Sequence, residues 1–544
     1  MTTTYIPASH VDYYDYVIVG GGTSGCVIAA RLAEYLPHKR ILLIEAGPSD
    51  FMDNRVQDLT KWLSLLGGDL DYDYGTTEQP MGNSHIRHSR AKVLGGCSSH
   101  NTLISFRPFE HDLKIWQSMG ARGWDFRTMM RVLDKLRNTV QPVHARHRNQ
   151  LCKDWVSACS TALSVPVVPD FNAEIASSGA LTQAVGFFSV SYDPDTCHRS
   201  SASVAYLHPI LRGDEARPNL TILTEAWVSK INMRDSVASG VTLTLKDGTA
   251  RIVSPRIETI LCAGAIDTPR LLLLSGIGPA SQLSALSIPV THDLPGVGEN
   301  LLDHPESIIM WELRRPVPPN QTTMDSDAGL FLRREPPNAA NGDGAIADVM
   351  MHCYQIPFSL NTARVGCDVP ADGFAFCMTP NIPRPRSRGR LYLTSADPAV
   401  KPALDFRYLS DAEGYDAATL VWGIRMARKV ALASPFKEWI AREVAPGPEV
   451  VSDEALEEFT RRAHHTVFHP VGTCRMGDVT GGDDGVVVDE RLRVRGVKGL
   501  RIADASVFPA MTTVNPMLTV LAVGERCAEM VVEDLGWEGE RAKL

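Results

Sequence analysis

The strongest constraint on the fold sits near the start of the chain, where a short apolar run is followed at once by Gly20-x-Gly22-x-x-Gly25. Asp15 to Val19 reads as a buried strand, an Ala-rich helix runs on to Leu36, and Arg40 to Ile44 reads as the next strand. In such a βαβ unit the glycines allow a tight turn, a close approach of the backbone to a pyrophosphate, and helix-on-strand packing. The helix amides are then left to bind phosphate. Glu45 follows Gly25 by 20 residues; a carboxylate there accepts hydrogen bonds from both ribose hydroxyls and repels a 2′-phosphate. A dinucleotide site is therefore predicted, NADP is disfavoured, and FAD and NAD both remain open.

The 544 residues exceed one ordinary core, so two large domains are expected. A composition 44% apolar and 22% charged suits burial rather than disorder. The net charge of −9 comes with no dense Lys/Arg block, which argues against nucleic acid as a partner. Eleven scattered cysteines without a CxxC pair argue against a disulfide framework and against a metal site, and fit reduced thiols inside a cell. No leader and no membrane-spanning run of about 18 apolar residues is seen. The terminal Ala542-Lys543-Leu544 has the small, basic, leucine chemistry read by peroxisomal import receptors, which places the protein in the peroxisome of a eukaryote and otherwise in the cytoplasm. Thr379 to Arg390, rich in Pro and Arg, reads as a loop. Near the C-terminus Leu500 to Ala503 reads as a strand, and Asn515-Pro516 opens a last helix to about Leu535.

Four stretches then point to one family: AKVLGGCSSHN at Ala91 to Asn101, GAIDTPRLLLLSGIGP at Gly264 to Pro279, His469-Pro-Val-Gly-Thr through Met476-Gly, and GLRIADASVFP at Gly499 to Pro509. In these the chain resembles the glucose-methanol-choline oxidoreductases, and within them most closely the choline-oxidising members, because His100 stands in GGCSSHN. The resemblance implies FAD as cofactor. It implies contacts from Gly20, Gly22, Thr23, Ser24 and Gly25, from Glu45 and Ala46, and from Gly95, Gly96, His100, Asn101 and Thr102. Val228, Asp504, Ala505, Asn515 and Pro516 complete that set, with His100 as a covalent attachment point. A His–flavin bond would withdraw electron density and make the flavin a better hydride acceptor. On residue chemistry alone the commoner case for His100 is an imidazole hydrogen-bonded to a loop carbonyl.

Oxidising a carbinol needs a group to take the hydroxyl proton while hydride leaves from a fixed position. By resemblance His469 is that base, Asn515 its partner on the substrate oxygen, and His352 a further holder of the hydroxyl. Asn515-Pro516 is also an ordinary helix start. Glu312, alternating with Ile308 and Met310 in IIMWEL, is expected to face a trimethylammonium group, or else to pair with Arg314 or Arg315. Trp62 and Phe358 match aromatic positions of the substrate pocket, and Val467 a small side chain that favours reaction with oxygen. Three departures from the family pattern, Ser326, Phe468 and Met517, put cation affinity and flavin tuning in doubt.

The expected architecture is α/β, α+β overall. It combines a Rossmann-like FAD domain (1–160, 201–311 and 465–544) with a substrate domain of antiparallel sheet and helices (161–200 and 312–464). The implied activity oxidises choline through betaine aldehyde to glycine betaine, reducing O2 to hydrogen peroxide, in a homodimer. Alternatives are oxidation of a neutral aryl or aliphatic alcohol with another acceptor, cyanohydrin cleavage, and a flavoprotein with a binding role alone.

Overall fold

The structure is a computed structural model and describes residues 12–319, 322–334 and 346–536. The terminal Ala542-Lys543-Leu544 therefore lies outside the described residues. The elements used below are, in order, β1 (Asp12–Val19), α1 (Thr23–Tyr35), β2 (Ile41–Ile44), β3 (Ala184–Phe187), β4 (Leu220–Leu223), β5 (Ala226–Arg234), β6 (Val237–Leu245), β7 (Ala250–Leu261) and α2 (Gly264–Leu274). After these come β8 (Pro305–Glu306), β9 (Ile309–Leu313), β10 (Ala328–Leu332), β11 (Val349–Tyr354), β12 (Ala375–Asn381), β13 (Ile440–Ala445), β14 (His465–Thr466), β15 (Leu500–Ile502) and α3 (Met517–Asp534).

The first sheet has the order β4-β2-β1-β7-β6-β5, with β15 added beside β7. Its β4, β2, β1, β7 and β15 pair in parallel, and β6 joins β7 and β5 as an antiparallel extension. β2 and the second half of β1, Tyr16 to Val19, are unbroken buried apolar runs because both faces are covered there. α1 is buried around nearly its whole circumference, being clamped between the sheet and α3, which explains its Ala-rich sequence. A Cβ on Gly524 would lie 2.9 Å from the Ser24 carbonyl oxygen, so glycine sets the close approach of these helices. Buried Glu525 of α3 closes the pair with the Arg31 guanidinium of α1 at 2.9 Å.

The second sheet is antiparallel, in the order β13-β9-β12-β11-β10-β3, with β8 pairing both β12 and β14. The strand at 305–306 and the one spanning 309–313 thus belong to this sheet, and the expected domain boundary after residue 311 falls inside β9. The Pro/Arg-rich stretch is shorter as a loop than expected: Thr379, Pro380 and Asn381 end β12, and Gly389 and Arg390 begin another strand. Pro380 has no N–H to give, but its carbonyl accepts from the Ser307 amide at 2.9 Å where the neighbouring chain passes from β8 to β9. No helix among the described residues is long and apolar enough to cross a membrane.

Candidate active site

One cavity runs between the two sheets from Gly20 to His469. At its first end β1 runs into Gly20, whose φ of 102° and whose contact with Cys262 (a Cβ would lie 2.4 Å from that carbonyl oxygen) admit only glycine. Gly25 lies behind the cavity wall, where a Cβ would stand 2.0 Å from the Gly20 oxygen. Gly22 is different, since a Cβ there would have nothing nearer than 3.5 Å and would point into the open cradle. α1 begins at this cradle with no side-chain cap and no acidic residue in its first turn, and the buried Ser24 hydroxyl has no partner. The positive end of the helix dipole therefore meets an open pocket lined by Gly20, Gly22, Thr23 and Ser24, a setting that fits pyrophosphate.

Glu45 and Ala46 line the same end. The Glu45 carboxylate accepts from the Gly21 amide (2.9 Å) and the Gly47 amide (2.7 Å), and burial pushes its pKa up to about 7 against those two bonds. Gly95 (φ 90°) and Gly96 turn the second loop onto the first, a Cβ on Gly96 falling 2.6 Å from the Gly22 Cα. Gly96, Asn101, Thr102, Val228, Ala505 and Pro516 all line the cavity, whereas Gly25 and Gly95 shape it from behind. Asp504 lines it too, but both its oxygens are engaged by protein, one by Ser506 N (2.8 Å) and the other by Gly264 N (2.9 Å) and Thr268 Oγ1 (2.6 Å). It caps α2 at the cavity wall. The donors and glycines present are those an FAD pyrophosphate and ribose require.

His100 is buried against the cavity midway along. Its Nε2 is 3.0 Å from the Leu65 carbonyl, which can only accept, so Nε2 carries the proton and Nδ1 accepts from Ser89 Oγ at 3.2 Å. Burial pushes its pKa down to about 4, consistent with a neutral ring.

At the far end β14 and the following turn deliver Val467, Phe468 and His469, and the segment before α3 delivers Asn515. Asn515 Nδ2 lies 3.5 Å from His469 Nε2, and Asn515 Oδ1 is buried without a partner. His469 is held from behind by Asp303, whose Oδ1 accepts from the His469 backbone amide at 2.8 Å, and by His304, whose Nδ1 is 2.9 Å from His469 Nδ1. Burial drives the His469 pKa well down, with His304, His352 and Arg90 adding to the effect. His352 lines the cavity from β11, and neither of its ring nitrogens has a hydrogen-bond partner. Trp62, Tyr354 and Phe358 form an aromatic wall beside it, Tyr354 stacking on Phe358 at 5.3 Å between ring centroids.

Glu312 is not brought to this site. Its carboxylate pairs with Arg442 at 2.7 Å and its side chain is 37% exposed, because β9 has reached the edge of the core where β13 supplies the arginine. The expectation that it faces a cation is corrected, as is the alternative of Arg314 or Arg315. A carboxylate that does lie near the reactive end is Glu306, which the sequence reading passed over; it stands behind the wall, next to His352. It is 1% exposed, its Oε2 has no hydrogen-bond partner, and that oxygen lies 3.9 Å from His352 Nδ1. The signal available was its place in Asp303-His304-Pro305-Glu306, three ionisable residues leading into an apolar strand. Of the departures, Phe468 lines the cavity with φ 64° and Met517 receives the Asn101 amide at 3.7 Å through its sulfur. Ser326 is buried away from the lining.

Comparison with known proteins gives the same setting. Two family models described as GMC oxidoreductase match residues 14–306 and 385–524. The chain is 39% identical over 537 residues to choline oxidase of Arthrobacter globiformis, covering 95% of this chain and 94% of that protein. It is 32% identical to an alcohol dehydrogenase [acceptor] of Pseudomonas putida, covering 95% and 96% of the two chains. Its structure superposes on pyridoxine 4-oxidase from Mesorbium loti with a TM-score of 0.85 at 26% identity, over 96% of this chain and 99% of the other.

Proposed function

Since this chain belongs to the GMC oxidoreductases, and is an FAD-binding flavoprotein acting on alcohols, we propose that its alcohol is choline and its electron acceptor O2. The observation that carries the choice of substrate is Glu306. A buried carboxylate oxygen without a hydrogen-bond partner is costly unless a cation meets it, and here it stands directly behind His352, which lines the reactive end of the cavity. The faces of Trp62, Tyr354 and Phe358 add about 0.5–2 kcal/mol each toward a trimethylammonium group that sits over them.

FAD, when bound, supplies the hydride acceptor. The protein's own part is to hold the carbinol and take its proton. An alcohol oxygen seated beside His469 Nε2 and Asn515 Nδ2, which stand 3.5 Å apart, donates its proton to the imidazole and accepts from the amide. His352, with both nitrogens unpartnered, offers a further hydrogen bond to that oxygen or to the second hydroxyl of a hydrated aldehyde. Val467 keeps the wall beside His469 apolar, which supports access by O2. The products are betaine aldehyde and then glycine betaine, with hydrogen peroxide.

We further propose that FAD is attached at His100, one of whose two present hydrogen bonds the linkage replaces. Acid precipitation should leave the yellow colour with wild-type protein and release it from H100A; release from both contradicts attachment. For the substrate, oxygen uptake is measured with choline and with its neutral isostere 3,3-dimethyl-1-butanol. A large preference for choline that E306Q abolishes supports the reading, and equal rates on both alcohols refute it.

A further inference from the structure

The two imidazoles at the reactive end do not have independent protonation states. His304 Nε2 is 2.9 Å from the Pro383 carbonyl oxygen and 3.1 Å from the Thr512 carbonyl oxygen. Carbonyls only accept, so Nε2 of His304 must carry a proton. The ring is fully enclosed, and burial pushes its pKa down to about 4, so at neutral pH it has one proton and no second. Its Nδ1 is then a bare lone pair, and the group facing it at 2.9 Å is His469 Nδ1. Two bare nitrogens at that distance would repel, and only a donor on His469 makes the contact favourable.

We propose that His304 is the positioning residue that fixes His469 in its Nδ1-protonated tautomer, leaving Nε2 unprotonated toward Asn515 and the cavity. The ring planes stand 83° apart and the two Nδ1 atoms are the atoms in hydrogen-bond contact, 2.9 Å from each other. His469 is buried as well and stays neutral, so a proton held at Nδ1 is one that Nε2 does not have. The groups around it agree: Asp303 takes the backbone amide, not the ring, while His352 and Arg90 approach from other elements and disfavour a second proton. The arrangement is the counterpart of a carboxylate orienting a catalytic histidine, with two main-chain carbonyls and a neutral imidazole in place of the anion.

This inference rests on His469 as the proton acceptor, and its test keeps the two apart. Holoenzyme labelled with 15N-histidine is read by long-range 15N–1H correlation, with His469 and His304 assigned by loss of signal in H469A and H304L. The expected result is a protonated Nδ1 and bare Nε2 for His469, and the reverse for His304. A protonated Nε2 on His469 overturns the inference whatever the activity. With choline as the probe, H304L is expected to lose about 10–100-fold in kcat/KM, the scale seen when the partner orienting a metal-bound histidine is removed, while its FAD content holds and His469 becomes a tautomer mixture. H304N, whose amide oxygen can accept near the former Nδ1, is expected to restore both rate and tautomer. H304L with wild-type rate and an unchanged His469 tautomer also overturns it. If H469A keeps its activity while the tautomers are as stated, His469 is not the base, and the positioning inference stands as structure alone.

Discussion

The two ends of the cavity are made of different material. Around Gly20 the wall is largely main chain: amides, a helix terminus and glycines of one βαβ unit and an adjoining loop, with Cys262 against Gly20 and the Glu45 carboxylate beside them. Around His469 the wall is side chain, from β11, β14 with the turn after it, and the segment before α3, which are far apart in sequence. A wall of main chain holds a ligand common to many enzymes, because backbone geometry leaves little room for substitution. A wall of side chains can be changed one residue at a time, and substrate choice belongs there. Substitutions at the first end should therefore act all or none on folding and cofactor, and those at the second should act by degrees on rate and specificity.

The largest effect expected is at Gly25. Gly25→Ala puts a Cβ 2.0 Å from the Gly20 oxygen and should yield no folded protein, whereas Gly22→Val, whose branches enter the open cradle, should fold and purify without flavin. Circular dichroism and the flavin absorbance of the purified proteins separate the two outcomes, and a flavin-loaded G22V would break the comparison. Next comes His469→Ala, with kcat on choline expected to fall about 10²–10⁴-fold, the usual contribution of a positioned acid or base, at unchanged flavin content.

Glu306→Gln is smaller. It should raise the choline KM about 10–100-fold, matching the roughly 1.5–3 kcal/mol of an interaction with a charged group, and leave 3,3-dimethyl-1-butanol unaffected. Glu312→Gln should change neither, since that carboxylate serves only Arg442 at the sheet edge. Steady-state kinetics on the four enzyme–substrate pairs decides between the two carboxylates.

The smallest effect concerns pH. His464, behind the reactive end, is fully buried, accepts the Asn83 amide at Nε2 (2.9 Å), and burial pushes its pKa down to about 3. The folded value lies below the unfolded value of about 6.5, so its contribution is complete above about 6.5 and is lost as pH falls toward about 3. His464→Gln removes that titration. The unfolding free energy of wild type should exceed that of H464Q at pH 7.5, and the gap should narrow on acidification by up to about 1.4 kcal/mol per pH unit, as read by denaturant melts across pH. A gap that widens with acid contradicts the burial of a neutral ring.

The same contrast decides what could be read from the chain. Gly20, Gly22, Gly25 and Glu45 announce their site because they stand at fixed spacing within one βαβ unit, and the predicted strands and helix around them agree with β1, α1 and β2 to within a residue or a few. His469, Asn515, His352, Trp62 and Phe358, named from the family resemblance, meet at one end of one cavity. Glu306 and His304 escaped because their importance lies in what packs against them: β14 opposite Glu306, and His469 opposite His304, 165 residues away. Glu312 misled because alternation along a strand gives the face but not where the strand leaves the core. Pro380 misled for a related reason, since a strand tolerates proline where its carbonyl, rather than its amide, makes the contact.

The most direct test of the account is to mix the purified holoenzyme with choline without oxygen, follow the flavin absorbance, and then admit air and assay peroxide. Bleaching on mixing, with peroxide on aeration, is the predicted result. A flavin that stays oxidised in the presence of choline would contradict the assignment of choline, and a bleached flavin that air does not restore would contradict the assignment of oxygen.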